Sequence, residues 1–219
     1  MPRTRPPIVQ IGFNKVGTRS LATLFRANGI RAADWLHGDL AHKAWRRMQA
    51  GEDPFADFEG FDAFSDMEDT SHWFRPFVEF YKHYDYIHRH HPDAYFILNI
   101  RDRDDWIRSR LKHGRGAYLL AYMIRRYRTL SRADVIRRWE AEWDDHLSAV
   151  QAHFAETGGR LLVYDIERDG PEKIAAFLAP DYAIEADALP HRGRTGRKRT
   201  WAKVPHWLRA KLRFGRWEP

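Results

Sequence analysis

The amino-acid sequence predicts an α/β protein in which a mainly parallel central sheet lies between two layers of helices. Apolar, β-prone runs alternate along the chain with segments whose apolar residues recur at helical spacing. Several of the runs are continuously apolar, which is typical of strands buried on both faces in a parallel sheet. This alternation favours a three-layer architecture, whose ligands bind at the carboxyl ends of the strands.

The first half of the chain contains three predicted strands and three predicted helices. The strands cover residues 7–12, 30–33 and 61–66, and the helices cover residues 18–28, 37–49 and 74–91. Gly29 ends the first helix, because glycine readily adopts the left-handed conformation of a helix C-terminus. Pro92 ends the third helix, since proline cannot continue one.

The second half begins with the strand Tyr95–Ile100 and a helix from Arg103. Residues 116–156 are predicted to be helical, and Ser131 caps the second helix of this pair. A last strand over residues 160–164 leads to a helix that starts at Gly170-Pro171 and ends near Leu178. One apolar stripe at helical spacing is expected to face the core: Val135, Trp139, Trp143, Leu147, Val150 and Phe154.

Length and composition predict one domain over residues 1–219, with a core over about residues 7–180. The chain contains no cysteine, which excludes disulfides, thiolate metal sites and cysteine nucleophiles. There is no apolar run of about 18 residues and no apolar signal-peptide core before the first strand. A cytoplasmic protein without a membrane span is therefore expected.

The net charge of +7 is concentrated in a basic C-terminal segment, residues 190–219, which carries ten Lys or Arg and one acid. Such a segment suits an anionic cofactor, nucleic acid or a membrane surface. Trp201, Val204, Trp207 and Leu212 form an apolar helical stripe within it. Docking of that stripe on the core is the preferred interpretation, and peripheral contact with an anionic membrane is the alternative.

The most informative motif joins the first strand to the first helix. The apolar run ends at Gly12, a helical pattern opens at Thr18, and the loop between them contains Lys15. Helix N-terminal N–H groups and the positive end of the helix dipole form an anion site, to which lysine adds a point charge. A Walker motif would place lysine directly after Gly17, where Thr18 stands instead. The loop is predicted to cradle a phosphate-like group.

A second motif follows the strand Tyr95–Ile100. Arg101 lies at the carboxyl end of that strand, and Ser109 follows eight residues later, about two turns into the next helix. A guanidinium at such a position can bind a phosphate through two parallel hydrogen bonds. A structural salt bridge is the alternative role for Arg101.

The order K-x-G-T-x-S-L after the first strand, followed by R-D-x-x-x-W-x-x-S after the Tyr95–Ile100 strand, resembles the sulfotransferase family, especially its bacterial-type branch. The resemblance spans about residues 7–180. It implies a P-loop-like fold and the donor 3′-phosphoadenosine 5′-phosphosulfate (PAPS), with 3′,5′-adenosine bisphosphate as product and no metal. PAPS is cytosolic in bacteria, which agrees with the expected compartment.

The resemblance also assigns roles to individual residues. Lys15 would stabilise charge on the leaving oxygen, while Arg101 and Ser109 would bind the 3′-phosphate. Arg19 stands where relatives often have Ser or Thr. The residues expected to hold the 5′-phosphosulfate are Asn14, Lys15, Val16, Gly17, Thr18, Arg19 and Ser20.

A general base is implied at the end of a strand that precedes the 3′-phosphate motif. Asp66, at the end of the predicted strand 61–66, is the first choice, and its structural alternative is a turn residue. His37, after the second predicted strand, is another catalytic candidate. Glu68 and His72 are further alternatives.

Relatives also close a late basic loop over the 3′-phosphate. Arg197 and Lys198 are the candidates here, with a different spacing. The run from His88 to His91 is interpreted as cations at a helix C-terminus rather than as a metal site.

The expected acceptor is a small molecule, a glycan or a lipid, and no nucleic-acid partner is expected. Two other functions stay open on sequence alone. One is a P-loop kinase that needs ATP and Mg²⁺. The other is an inactive, basic protein of the same fold that binds a nucleotide or a membrane surface.

Overall fold

The computed structural model describes residues 4–185. Five parallel strands form the central sheet: β1 (Ile8–Gln10), β2 (Ala32–Asp34), β3 (Ala63–Ser65), β6 (Tyr95–Ile100) and β7 (Arg160–Asp165). Their order is β2-β3-β1-β6-β7, and Val9 of β1 lies beside Phe64 and Phe96 of its two neighbours. Two short strands, β4 (Glu68–Asp69) and β5 (Val78–Glu79), form a separate antiparallel ribbon.

Helices cover both faces of the sheet. They are α1 (Thr18–Ala27), α2 (Asp39–Gln49), α3 (Tyr84–His90), α4 (Arg103–Lys112), α5 (Ala117–Ala121), α6 (Arg132–Thr157) and α7 (Pro171–Leu178). A π-helical turn, Tyr122–Tyr127, follows α5.

Two apolar clusters hold the three layers together. Ile8 and Ile97 pack with α1 and α7 on one face, whereas Val9 and Phe96 pack with α2 and α6 on the other. This division follows from the alternation of side chains along a strand. The predicted α/β fold class, with a mainly parallel sheet flanked by helices, is confirmed.

The predicted helix over residues 74–91 is wrong in its first half. β5 and a 3-10 helix, Phe80–Lys82, occupy that part, and α3 begins only at Tyr84. Pro76 has no N–H group for a helical hydrogen bond, and Val78 pairs with Asp69 of β4 instead.

Residues with left-handed backbone lie at the boundaries of two other predicted helices. Trp35, Leu36 and His37 have φ values of 59°, 49° and 56°, so the helix predicted from residue 37 begins at Asp39 after a short 3-10 turn. The pair of helices predicted over residues 116–156 is separated just before the predicted Ser131 cap, where Arg128 has a φ of 53°. Residues other than glycine adopt the left-handed φ/ψ region at an energetic cost. Helix boundaries that depend on it are therefore hard to predict from sequence.

Helix α6 follows its predicted pattern. The Ser131 hydroxyl accepts a hydrogen bond from the backbone N–H of Asp134, which confirms the predicted cap. Val135, Trp139, Trp143, Val150 and Phe154 are buried, and Leu147 packs against them while partly exposed. The stripe also includes the buried His146, whose Nε2 lies 2.8 Å from the carbonyl oxygen of Ile11.

The histidines at the end of α3 make contacts of a structural kind. His88 Nδ1 lies 3.1 Å from His153 Nε2, and His91 Nε2 lies 2.7 Å from Asp53 Oδ1. Residues 4–185 contain no group of three or more His, Asp or Glu that could hold a metal ion. No helix within the same range is long and apolar enough to cross a membrane.

Candidate active site

The loop from Gly12 to Gly17 connects β1 to α1 and is held in place from two neighbouring elements. A Cβ atom on Gly12 would lie 2.3 Å from the carbonyl oxygen of Asn99 in β6, so only glycine fits there. The Asn99 amide donates to the carbonyl oxygen of Val16 at 2.8 Å. The Trp106 indole of α4 donates to the carbonyl oxygen of Asn14 at 3.0 Å. The loop is therefore fixed before any ligand arrives.

Helix α1 begins at Thr18 without a side-chain cap. Gly17 precedes it with a φ of 83°, a conformation that suits glycine. The first N–H groups of an uncapped helix need partners from outside the helix, and the helix dipole favours an anion there. Thr18 is buried, Ser20 is partly buried and Arg19 is exposed at this end.

Lys15 lies at the centre of a group of charged side chains. Its backbone is left-handed, with a φ of 67°, and the residue is partly buried. Burial and the charges of Arg19 and Arg101 lower the pKa of Lys15, whereas Asp66 and Glu68 act in the opposite direction. These interactions place residues from three separate parts of the sequence, 15–19, 66–68 and 101, within electrostatic range of one ammonium group.

Asp66 follows β3 at the same edge of the sheet. Its φ is 53°, and its Oδ1 atom is buried without a hydrogen-bond partner among residues 4–185. Burial and the charge of Asp34 raise the pKa of Asp66 to about 6, although Arg19 and Lys15 oppose the shift. A buried polar atom without a partner is costly, so this oxygen is a candidate contact for a ligand.

A buried polar network lies directly behind the loop. The Asn14 amide donates to Glu68 at 2.7 Å and accepts from Arg110 Nε at 3.0 Å. The Arg110 guanidinium, with no exposed surface, also donates to the hydroxyls of Tyr118 and Tyr122 at 2.8 and 3.0 Å. Burial, together with the charge of Asp66, raises the pKa of Glu68. The network fixes Asn14, the residue that precedes Lys15.

Arg101 lies at the carboxyl end of β6, as the sequence predicts. It donates to the carbonyl oxygen of Lys15 at 3.4 Å and forms a 2.7 Å ion pair with Glu167. Its Nε atom is buried and has no hydrogen-bond partner in the part of the chain that the structure describes. Ser109, partly buried, follows on α4. The alternative salt-bridge role of Arg101 is thus observed, and its phosphate role stays a prediction.

The two histidines predicted as alternative bases have contacts away from Lys15 and Asp66. His37 stacks near Trp35, with ring centroids 5.3 Å apart, and no described contact joins it to Lys15 or Asp66. His72 Nδ1 lies 2.7 Å from Asp69 Oδ1, which ties this ring to β4. Arg197 and Lys198 lie outside the described residues, as does the rest of the basic C-terminal segment.

His113 is a site residue that the sequence did not indicate. Burial and the charges of Lys15, Arg19 and Arg110 lower its pKa to about 4, so the imidazole stays neutral near pH 7. A lone histidine 98 positions after Lys15 carries no sequence signal of this proximity. Arg110 was equally hidden, because it stands in a basic run that reads as an exposed helix face.

The fold and this loop define the class of protein. A glycine-bounded loop leads from β1 into a helix N-terminus at the point where the strand order reverses, which is a P-loop-like arrangement for binding phosphate groups. A family model described as a sulfotransferase domain matches residues 7–193. Since the match covers most of the chain, the protein belongs to the sulfotransferase family and is a transferase of sulfuryl groups. No curated protein matches the chain.

Proposed function

We propose that this protein transfers a sulfuryl group from PAPS to a hydroxyl or amine of a small-molecule, glycan or lipid acceptor, in the cytoplasm. The observation that carries the proposal is the convergence of Lys15, Asp66 and Arg101 at the uncapped N-terminus of α1. Transfer from an anionic donor requires cationic groups that stabilise negative charge, and a protonated acceptor requires a base. Two cationic groups beside one strained, buried carboxylate meet both requirements.

The residues present fit such a donor. The uncapped start of α1 suits the 5′-phosphosulfate, and the unpartnered Arg101 Nε suits a second anion near it. We assign the 5′ side to the loop from Asn14 to Ser20 and the 3′-phosphate to Arg101 and Ser109. When bound, PAPS supplies the sulfuryl group, and 3′,5′-adenosine bisphosphate is the product.

Two side chains carry out the chemistry, and a buried network positions them. The Asp66 carboxylate takes the proton of the acceptor hydroxyl as that oxygen bonds to sulfur. Lys15 stabilises the negative charge that develops on the bridging oxygen as the bond between sulfur and that oxygen breaks. The Asn14–Glu68–Arg110 network holds the loop still, so that little reorganisation is needed during the reaction.

Transfer of radiolabelled sulfate from PAPS to a panel of phenols, glycans, amines and lipid headgroups tests this proposal. Lys15→Ala is expected to lower turnover by about 10²- to 10³-fold, the usual effect of removing one group that stabilises developing charge. Lys43→Ala removes an equally half-buried lysine on α2 and should leave turnover unchanged. Transfer of phosphate from ATP with Mg²⁺, without any transfer of sulfate from PAPS, would contradict the proposed function.

A further inference from the structure

The large apolar side chains exposed in the described part of the chain are confined to two short stretches. They are Trp73, Phe74, Leu120, Ile124 and Leu130. Phe74 is fully exposed, and Leu120 and Ile124 are close to half exposed. Scattered exposed apolar residues are ordinary, but their concentration in one region marks an interaction site.

Arg125 brings the two stretches together. Its guanidinium donates to the carbonyl oxygens of Thr70 at 2.7 Å and Arg75 at 2.5 Å, and it lies 5.7 Å from the centre of the Trp73 ring. The loop that carries Trp73 and Phe74 is thereby fixed against the π-helical turn that carries Ile124. The two stretches of exposed apolar residues are therefore held next to each other.

Positive charge surrounds this surface. Residues 106–133 contain no Asp or Glu and eight Lys or Arg, seven of which are at least partly exposed. Arg115 and Arg128 flank the helical stretch 117–127 at its two ends and are exposed. Neither forms an ion pair with another residue in the range 4–185. We call the surface of Trp73, Phe74, Leu120, Ile124, Arg115 and Arg128 the apolar-basic face.

We infer that the apolar-basic face binds an anionic lipid surface. Apolar side chains bordered by unpaired arginines match the boundary between acyl chains and anionic headgroups. The basic C-terminal segment has the same sign of charge as this face and is therefore a poor occupant of it. Nucleic acid would match the arginines, but it offers no apolar layer to Leu120, Ile124 and Phe74.

The apolar-basic face lies close to the loop that carries Lys15. Lipid binding is nevertheless a property separate from the proposed sulfuryl transfer. His113 lies in the field of Lys15 and Arg19 and stands two residues before Arg115, and the Tyr118 hydroxyl of α5 donates to Glu68 at 3.0 Å. A membrane bound to the apolar-basic face would therefore lie beside the loop and could present an acceptor carried by a lipid.

Flotation of the full chain with vesicles tests this inference without any nucleotide. The parent protein is expected to bind vesicles of phosphatidylcholine mixed with phosphatidylserine, and to bind vesicles of phosphatidylcholine alone far less. Arg115→Asn with Arg128→Asn should lower the partition coefficient by about 30-fold, since each arginine near an anionic surface contributes about fivefold. Asparagine tolerates the left-handed backbone of both positions, so the fold is kept.

Two further variants complete the experiment. Leu120→Gln with Ile124→Gln should lower binding at least tenfold while the charge is unchanged. Arg89→Gln with Arg168→Gln removes two exposed arginines that belong to neither of the two stretches and should bind as the parent does. Thermal melting of each variant monitors folding.

Several results would overturn the inference. Equal binding to both kinds of vesicle, or no binding to either, would do so. Parent-like binding by the arginine variant would assign membrane contact to the C-terminal segment instead. Binding of duplex DNA that is lost in the arginine variant, without vesicle binding, would identify the face as a nucleic-acid surface. Because no outcome depends on PAPS, failure here leaves the proposed function untouched.

Discussion

Arg101 and Glu167 form a 2.7 Å ion pair just beyond the carboxyl ends of β6 and β7. The Glu167 carboxylate thus binds the guanidinium that we propose as the partner of the donor's 3′-phosphate. A phosphate with its two charges has to share or displace this partner, so Glu167 opposes nucleotide binding.

Glu167→Gln is accordingly expected to tighten the binding of 3′,5′-adenosine bisphosphate two- to fivefold. This gain in affinity is small because a partly exposed ion pair contributes only up to about 1 kcal/mol of free energy. Glutamine keeps an oxygen that can accept from the backbone N–H of Asp102. The gain should disappear when Arg101 is replaced by alanine in the same chain, and weaker binding in Glu167→Gln would mean that Glu167 orients Arg101 instead.

The proposed base predicts a pH profile with a limb on the acid side. Because the pKa of Asp66 is raised to about 6 and the base acts as a carboxylate, kcat/KM should fall about tenfold per pH unit below 6. His113 does not produce this limb, since its pKa is lowered to about 4. Asp66→Asn should lower kcat by 10²- to 10⁴-fold and remove the limb. An unchanged profile in this variant would exclude Asp66 as the base.

The same substitution is expected to stabilise the folded protein. A folded-state pKa above the unfolded value means that ionisation of Asp66 costs stability above pH 6, and that this cost disappears as the pH falls toward 4. Asp66→Asn should therefore raise the free energy of unfolding by about 2 kcal/mol at pH 8, and by almost nothing at pH 4. Urea unfolding at the two pH values measures this difference, and a destabilised variant at pH 8 would contradict the account.

Arg110 should be essential to stability, whereas Arg108 on the same helix should not. Arg110→Leu removes the cation from a buried network that includes Glu68, and it is expected to cost about 3–5 kcal/mol. Arg108, whose side chain is 59% exposed, is the matched control, and Arg108→Leu should change stability by less than about 0.5 kcal/mol. Thermal melting gives both values. A loss below 1 kcal/mol for Arg110→Leu would show that the network does not support the loop.

Sequence reasoning succeeded where local signals agree with the fold. The strand Tyr95–Ile100 was predicted with its observed bounds because its run of residues is mostly apolar and β-prone, and the structure buries it almost entirely. It failed for β4 and β5, whose two-residue strands are formed by pairing across the ribbon rather than by their own propensities.

The site shows the same division. The spacing of Lys15, Arg101 and Ser109 follows from their places after β1 and β6, so it is visible in the sequence. The burial of Arg110, the pairing of Glu167 and the approach of His113 to Lys15 depend on tertiary packing. Helical spacing places Arg110 on the same face of α4 as Trp106 and Ile107, but a charged side chain on an apolar face is rarely fully buried, so its burial was not predicted.

Isothermal titration with 3′,5′-adenosine bisphosphate in the presence of EDTA tests the central claim most directly. We expect binding that needs no metal, is much weaker for AMP, and is lost in Arg101→Ala but kept in Arg103→Ala, whose side chain pairs with Asp144 instead. Binding of ATP only with Mg²⁺, and none of the bisphosphate, would contradict the assignment of this site to PAPS.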